Sequence, residues 1–130
     1  MTDRSRFEDA FAGFRSMPYP PYPALEALRD WNSDLLTLDG HVAGYASRVH
    51  RGSMQAWEVP HLVGLVAEVD ALRAALDAID HVSGDDRTMI AAFRDYISAM
   101  QAMMHELDRL AGPRDRAGAE CSTPRPLRRR

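Results

Sequence analysis

Five histidines are the residues of this chain best suited to chemistry. His50, His61 and His105 would gather at one end of an antiparallel helical bundle, with Glu58, Glu106 and Asp108 nearby. Imidazole and carboxylate ligands of that kind hold zinc or paired metals in bundle proteins. The string Glu58-Val-Pro-His61 has the Glu-x-x-His spacing of di-metal bundles, but that design needs a second copy and further inward glutamates, and Pro60 disturbs the turn. The heptad register also puts His50 and His105 on the outward side of their helices. The trio is a weak metal candidate, and surface histidine is the preferred reading; no cofactor is expected. Asp77 and His81 stand four apart, as a surface helical pair would. Arg73–His81 and Arg94–His105 are too widely spaced for an Arg-x(4–6)-His nuclease pair. No lysine occurs among the sixteen basic residues, so Schiff-base chemistry and a phosphate-binding P-loop are excluded. Cys121, the sole cysteine, cannot form an internal disulfide.

What would position such groups is a set of helices. Three stretches carry apolar residues at seven-residue spacing with no charge on the seam. Leu28, Leu35, Val42 and Val49 form one row, with Trp31, Leu38 and Tyr45 beside it. Leu62, Val69 and Leu76 run with Leu65, Leu72 and Ile79; Phe93, Met100 and Leu107 run with Met89, Tyr96, Met103 and Leu110. A 3-4 alternation of this kind specifies a helix with one buried stripe. The last segment adds a third row, Ile90, Ile97 and Met104, and so requires more than one neighbour or offers a face to a second copy.

Punctuation sets the boundaries. Ser5 and Glu8 read as a capping box opening a short helix over about 6–16, with Phe7, Phe11 and Phe14 on one face as a lid. Pro18 to Pro23 alternates proline and tyrosine and reads as a stiff extended connector. Pro23 suits a first helical turn and Gly52 a stop; Pro60 and Ser83-Gly84 bracket the next helix, Asp85 caps the one after, and Gly112-Pro113 ends it. The expected fold is therefore all-α. It is an antiparallel up-down-up bundle of three long helices (about 23–51, 59–82 and 85–111) plus the short N-terminal one, forming a single domain over 1–111. Residues 112–130 are expected to be a disordered basic tail.

Charge is partitioned between these parts. Residues 112–130 hold six arginines against Asp115 and Glu120, a net of +4, leaving the body with ten arginines against seventeen acids, a net of −7. An acidic body repels nucleic-acid phosphates and attracts basic surfaces, so contact with nucleic acid is expected only through the tail. No apolar run approaches the roughly 18 residues of a membrane span, and Met1 to Arg15 lacks the apolar core of a secretion signal, so a cytoplasmic protein is expected.

A core without carboxylate, lysine or thiol points to binding and away from catalysis. The leading expectation is a non-catalytic interaction module of inhibitor, immunity, antitoxin, adaptor or chaperone type. Its partner would be a protein, basic in character, or a second copy of the chain. The contact candidates are Gly40, Gly44 and Ser47, opposite the seam of the second helix, where the first helix, a second copy or a partner would meet them; Ile90, Ile97 and Met104 on the last; and the steering carboxylates Asp70 and Asp77, with Asp30, Asp34, Glu68 and Asp80. Each mid-helix glycine costs about 1 kcal/mol relative to alanine, which a close backbone contact would offset. The alternative is a small-molecule binder or small enzyme using a Met/Tyr-lined interior of Trp31, Tyr45, Tyr96, Met100 and Met103.

Overall fold

The structure, a computed structural model, describes residues 3–23, 25–79 and 84–112. All regular structure among them is helical: α1 Asp3–Ser16, α2 Glu26–His50, a 3-10 turn Ala56–Glu58, α3 Leu62–Asp77 and α4 Gly84–Ala111. The expected Asp77–His81 pair, Asp80, Cys121 and the basic tail beyond Gly112 fall wholly or partly outside the described residues.

The seams fold as their spacing requires. Leu28, Leu35, Val42 and Val49 are fully buried from α2, Val69 and Leu76 from α3, and Phe93, Met100, Met103 and Leu107 from α4. The third row of α4 is buried too: Ile97 and Met104 are inaccessible and Ile90 is nearly so. Two neighbours cover this wide stripe, since α4 packs on α3 along one flank and on α1 along the other, while α2 packs on α3 and more lightly on α1. The phenylalanine face of α1 is the lid its spacing implied, with Phe7 fully buried and Phe11 and Phe14 nearly so.

Aromatic rings join α2, α4 and the proline-tyrosine connector. The Phe93 ring meets Trp31 edge-on at 5.4 Å and Tyr19 edge-on at 6.0 Å, and Phe14 lies 5.4 Å from Tyr96. The connector is part of the fold along one side only: Pro20 and Pro23 are buried and Tyr19 half-buried, while Tyr22 is 73% exposed.

Several boundaries differ from those the punctuation suggests. α1 begins at Asp3, so Ser5 lies inside the helix and no capping box forms there; Glu8 instead pairs with Arg4 at 2.9 Å and with His50. α2 begins at Glu26 and not at Pro23, because Leu25 is still extended (φ −72, ψ 121) and the connector carries Pro23 onto the core in that conformation. α3 begins at Leu62 and not at residue 59. Val59, held extended before Pro60, and His61, left-handed at φ 55, delay the first turn. Its last residue is Asp77 and not residue 82, so at 16 residues it is much shorter than α2 with 25 and α4 with 28. The 53–59 stretch, expected to be loop, contains the 3-10 turn, whose Gln55 N–H donates to the Glu58 carboxylate at 2.7 Å.

Phe93 is fully buried where rings from α2 and the connector converge. Truncation to alanine leaves a cavity that neighbouring rings cannot fill. F93A is expected to lose about 3–5 kcal/mol of stability in urea denaturation at an unchanged m-value; a loss under 1 kcal/mol would show that the site collapses freely.

Candidate functional site

α3 is the unusual helix. Its sequence, LVGLVAEVDALRAALD, has four charged residues, Glu68, Asp70, Arg73 and Asp77. Three of the four bond to α4. Asp70 accepts from Gln101 Nε2 at 2.8 Å and pairs with His105 Nε2 at 2.9 Å. Arg73 donates to Ser98 Oγ at 2.6 Å and to Asp77 at 3.2 Å, and Asp77 also accepts from Arg94 Nε at 3.0 Å. Asp70 and Asp77 are thus joined to α4 and are not loose steering charges. Burial pushes the Asp70 carboxyl up, but the hydrogen bonds from Gln101 and His105 outweigh it and the net shift is downward. The Asp77 carboxyl is also lowered, chiefly by the hydrogen bond from Arg94.

With three of its four charges bonded to α4, α3 turns outward a side that is apolar apart from Glu68. Val63, Gly64, Ala67, Ala71, Ala74, Ala75 and the capping Ala78 are all exposed. Helices that are apolar on every side are normally enclosed by protein or lipid. No helix among the described residues is long and apolar enough to cross a membrane.

Beside this face a groove of about 730 Å³ runs between α2 and α3. Leu38, Leu65 and Leu72 form its floor, and Asp34 and Glu68 stand on opposite walls. His41, His61 and Tyr45 also line it. The walls are held by the Trp31 indole, which donates to the Leu72 carbonyl at 2.8 Å. Tyr45 is the single member of the expected ligand-binding set that reaches this groove. Trp31, Tyr96, Met100 and Met103 belong to the packed core.

The Tyr96 hydroxyl, for which a ligand was a candidate partner, donates to Asp39 at 2.5 Å. Tyr19 donates to Asn32 Oδ1 at 2.6 Å, and the two tyrosine rings meet at 4.9 Å. Burial, followed by the Asp39 charge, pushes the Tyr19 phenol up to about 12. The Tyr96 phenol is raised by burial first, then by its hydrogen bond to Asp39. Phenols held protonated serve as hydrogen-bond donors at neutral pH and are poor nucleophiles or bases. Among the described residues the fully buried set holds no carboxylate, Asn32 being its one polar member, and Asp39 stands half-buried at the edge of the core. Its signal was present in the sequence: Asn32, Asp39 and Ala46 repeat every seven residues beside the Leu35–Val42 row.

The other candidates are dispersed. His50 lies on the Phe11 ring at 4.5 Å between centroids and pairs with Glu8; His105 pairs with Asp70; His61 lines the groove. Among the described residues no three His, Cys, Asp or Glu side chains are grouped to hold a metal ion, so the trio His50, His61 and His105 makes no such site. Ile90, Ile97 and Met104 are covered within the core and present no flank to a partner, because α1 and α3 together close over α4. Gly40 and Gly44 are exposed, Ser47 half-buried, and a methyl group built on either glycine would meet nothing within 4 Å. The strip therefore does not receive α1. No family model matches this chain, and no curated protein and no solved structure is similar to it.

Because nothing among the described residues crowds these glycines, G40A/G44A is expected to be more stable by about 1–2 kcal/mol in urea denaturation; destabilisation would reveal a further contact. The lowered carboxyls set a pH window. A carboxyl held below its unfolded value stabilises fully above about pH 4, and the benefit is lost as pH falls through the folded value. D70N/D77N is accordingly expected to melt below the wild type at pH 7, with the gap closing between about pH 5 and about pH 2. A gap independent of pH in thermal melts would refute the charge origin.

Proposed function

We propose that this chain is a non-catalytic protein–protein interaction module, built as an antiparallel helical bundle and working through the α2–α3 side. One observation carries the reading: α3 directs three of its four charges to α4 and leaves Val63, Ala67, Ala71, Ala74 and Ala75 in solvent. Exposed apolar surface on a helix that supplies its own core contacts is what an unoccupied interface looks like. Leu36, half exposed on α2, and the open Gly40–Gly44 strip extend the small, apolar character to the neighbouring helix.

The chemistry of the core edge supports the non-catalytic part. The tyrosine hydroxyls at the core edge are engaged with Asp39 and Asn32 and are pushed toward the protonated form. The acidic body favours a basic partner through long-range attraction. An inhibitor, immunity protein, antitoxin, adaptor or chaperone would each use such a surface. Self-association and a cytoplasmic location belong to the same proposal and rest on the sequence.

The test is affinity capture by the immobilised chain from an extract of the cells that make it, beside A67E/A74E. Charges placed on the outer α3 face leave the core untouched. The expected result is a captured protein that the variant loses at unchanged melting temperature and that weakens as salt rises. Equal capture by both proteins, or none by either together with a monomeric solution mass, would count against the proposal.

A further inference from the structure

We infer that the α2–α3 groove receives one amphipathic helix of a partner protein, with cations at the end of that helix that lies over Asp34 and Glu68. The inference rests on the interaction reading above and names the partner's chemistry. Both walls present residues at helical spacing: Asp34, Thr37, Leu38, His41 and Tyr45 from α2, and His61, Gly64, Leu65, Glu68, Ala71 and Leu72 from α3. Two such stripes side by side leave the place that a third helix fills in ridge-and-groove packing. From His61 to Leu72 the wall is about 16 Å long, or three turns of an incoming helix. Gly64 and Ala71 keep the α3 wall low: a methyl group added at Gly64 would meet only the His61 Cβ at 3.9 Å, so a backbone can come close.

Charge decides the occupant. The apolar floor of Leu38, Leu65 and Leu72 calls for a row of aliphatic side chains. Among the described residues, Asp34 and Glu68 have no hydrogen-bond or ion-pair partner, although Asp70 and Asp77 on the same helix pair are fully engaged. Trp31 bonded to Leu72 places Asp34 toward that end of the groove, and the short connection through residues 51–61 brings Tyr45 toward His61 at the other. Negative charge therefore sits in one half and imidazoles in the other. An arginine or lysine over Asp34 and Glu68 gains attraction from both walls, whereas an acidic helix is repelled there.

The probe is a fluorescein-labelled peptide of about 15 residues with leucines at i, i+4, i+7 and i+11 and arginines flanking that row in one half, beside a twin with glutamates for the arginines. Anisotropy titrations use the full chain, D34N/E68Q, and G64W/A71W, which fills the groove from its low wall. The arginine peptide is expected to bind the wild type and to weaken about fivefold on D34N/E68Q. It should lose binding more than tenfold on G64W/A71W at retained helical circular dichroism, and the glutamate twin should not bind. Equal binding of both peptides, binding untouched by the tryptophans, or no binding of the arginine peptide overturns the inference. So does a concentration-dependent dimer that G64W/A71W dissolves, which would assign the groove to a second copy. If A67E/A74E loses its captured protein while G64W/A71W keeps it, the interaction reading stands and the groove assignment falls.

Discussion

The width of the apolar stripe on α4 is the constraint on which the rest depends. Three rows at seven-residue spacing cannot be covered by one helix, because a helix-to-helix contact hides only a narrow seam. Phe93, Met100 and Leu107, then Met103 and Tyr96, then Ile90, Ile97 and Met104 all lie buried. α3 takes one flank and the phenylalanine helix α1 the other. The short N-terminal helix is thus a structural wall and not an accessory. The extended connector after it joins the same core, since Tyr19 meets the Phe93 ring that Trp31 also meets, and Pro20 and Pro23 are buried.

Polar groups then settle where the apolar packing lets them. At the α3–α4 edge, Asp70, Arg73, Asp77, Arg94, Ser98, Gln101 and His105 form a continuous ladder along both helices. Exposed pairs of this kind add little stability each; the buried row Leu62, Leu65, Val69 and Leu76 sets the rotation of α3, and the ladder conforms to it. With Asp70, Arg73 and Asp77 turned to α4, the alanines of α3 face solvent and Glu68 stands on the groove wall.

Helices, seams and the lid were legible because hydrophobic spacing and proline or glycine stops report local geometry directly. Gly52, at φ 81, ends α2 where its type suggested, and Gly112, at φ 80, follows the end of α4 in the same way. The start of α3 was harder: His61 is left-handed, and although histidine is among the residues enriched in that region, one histidine in a sequence does not announce the turn. The site was less legible still. Seven-residue rows say which residues are inside, not which partner helix satisfies an exposed carboxylate, so Asp34, Glu68, Asp70 and Asp77 read alike although only the last two bond to α4. The Asn32–Asp39 row carries no hydrophobic signal, although it repeats at the same period.

The Arg4 guanidinium donates to the carbonyls of Val49 and His50 at 3.0 and 3.1 Å, across a sequence separation of 45 residues. The terminal carbonyls of a helix otherwise depend on water or on the residues just past its end. Here Arg51, Gly52 and Ser53 cap the carbonyls of Ser47, Val49 and Arg48, Arg4 adds a donor from the start of the chain, and His50 in the same turn is stacked on Phe11. Fraying at the amino end would uncover both together. Detaching the first helix would therefore remove a side-chain donor and an aromatic stack from the far end of the second in one step, linking two segments that the chain keeps far apart.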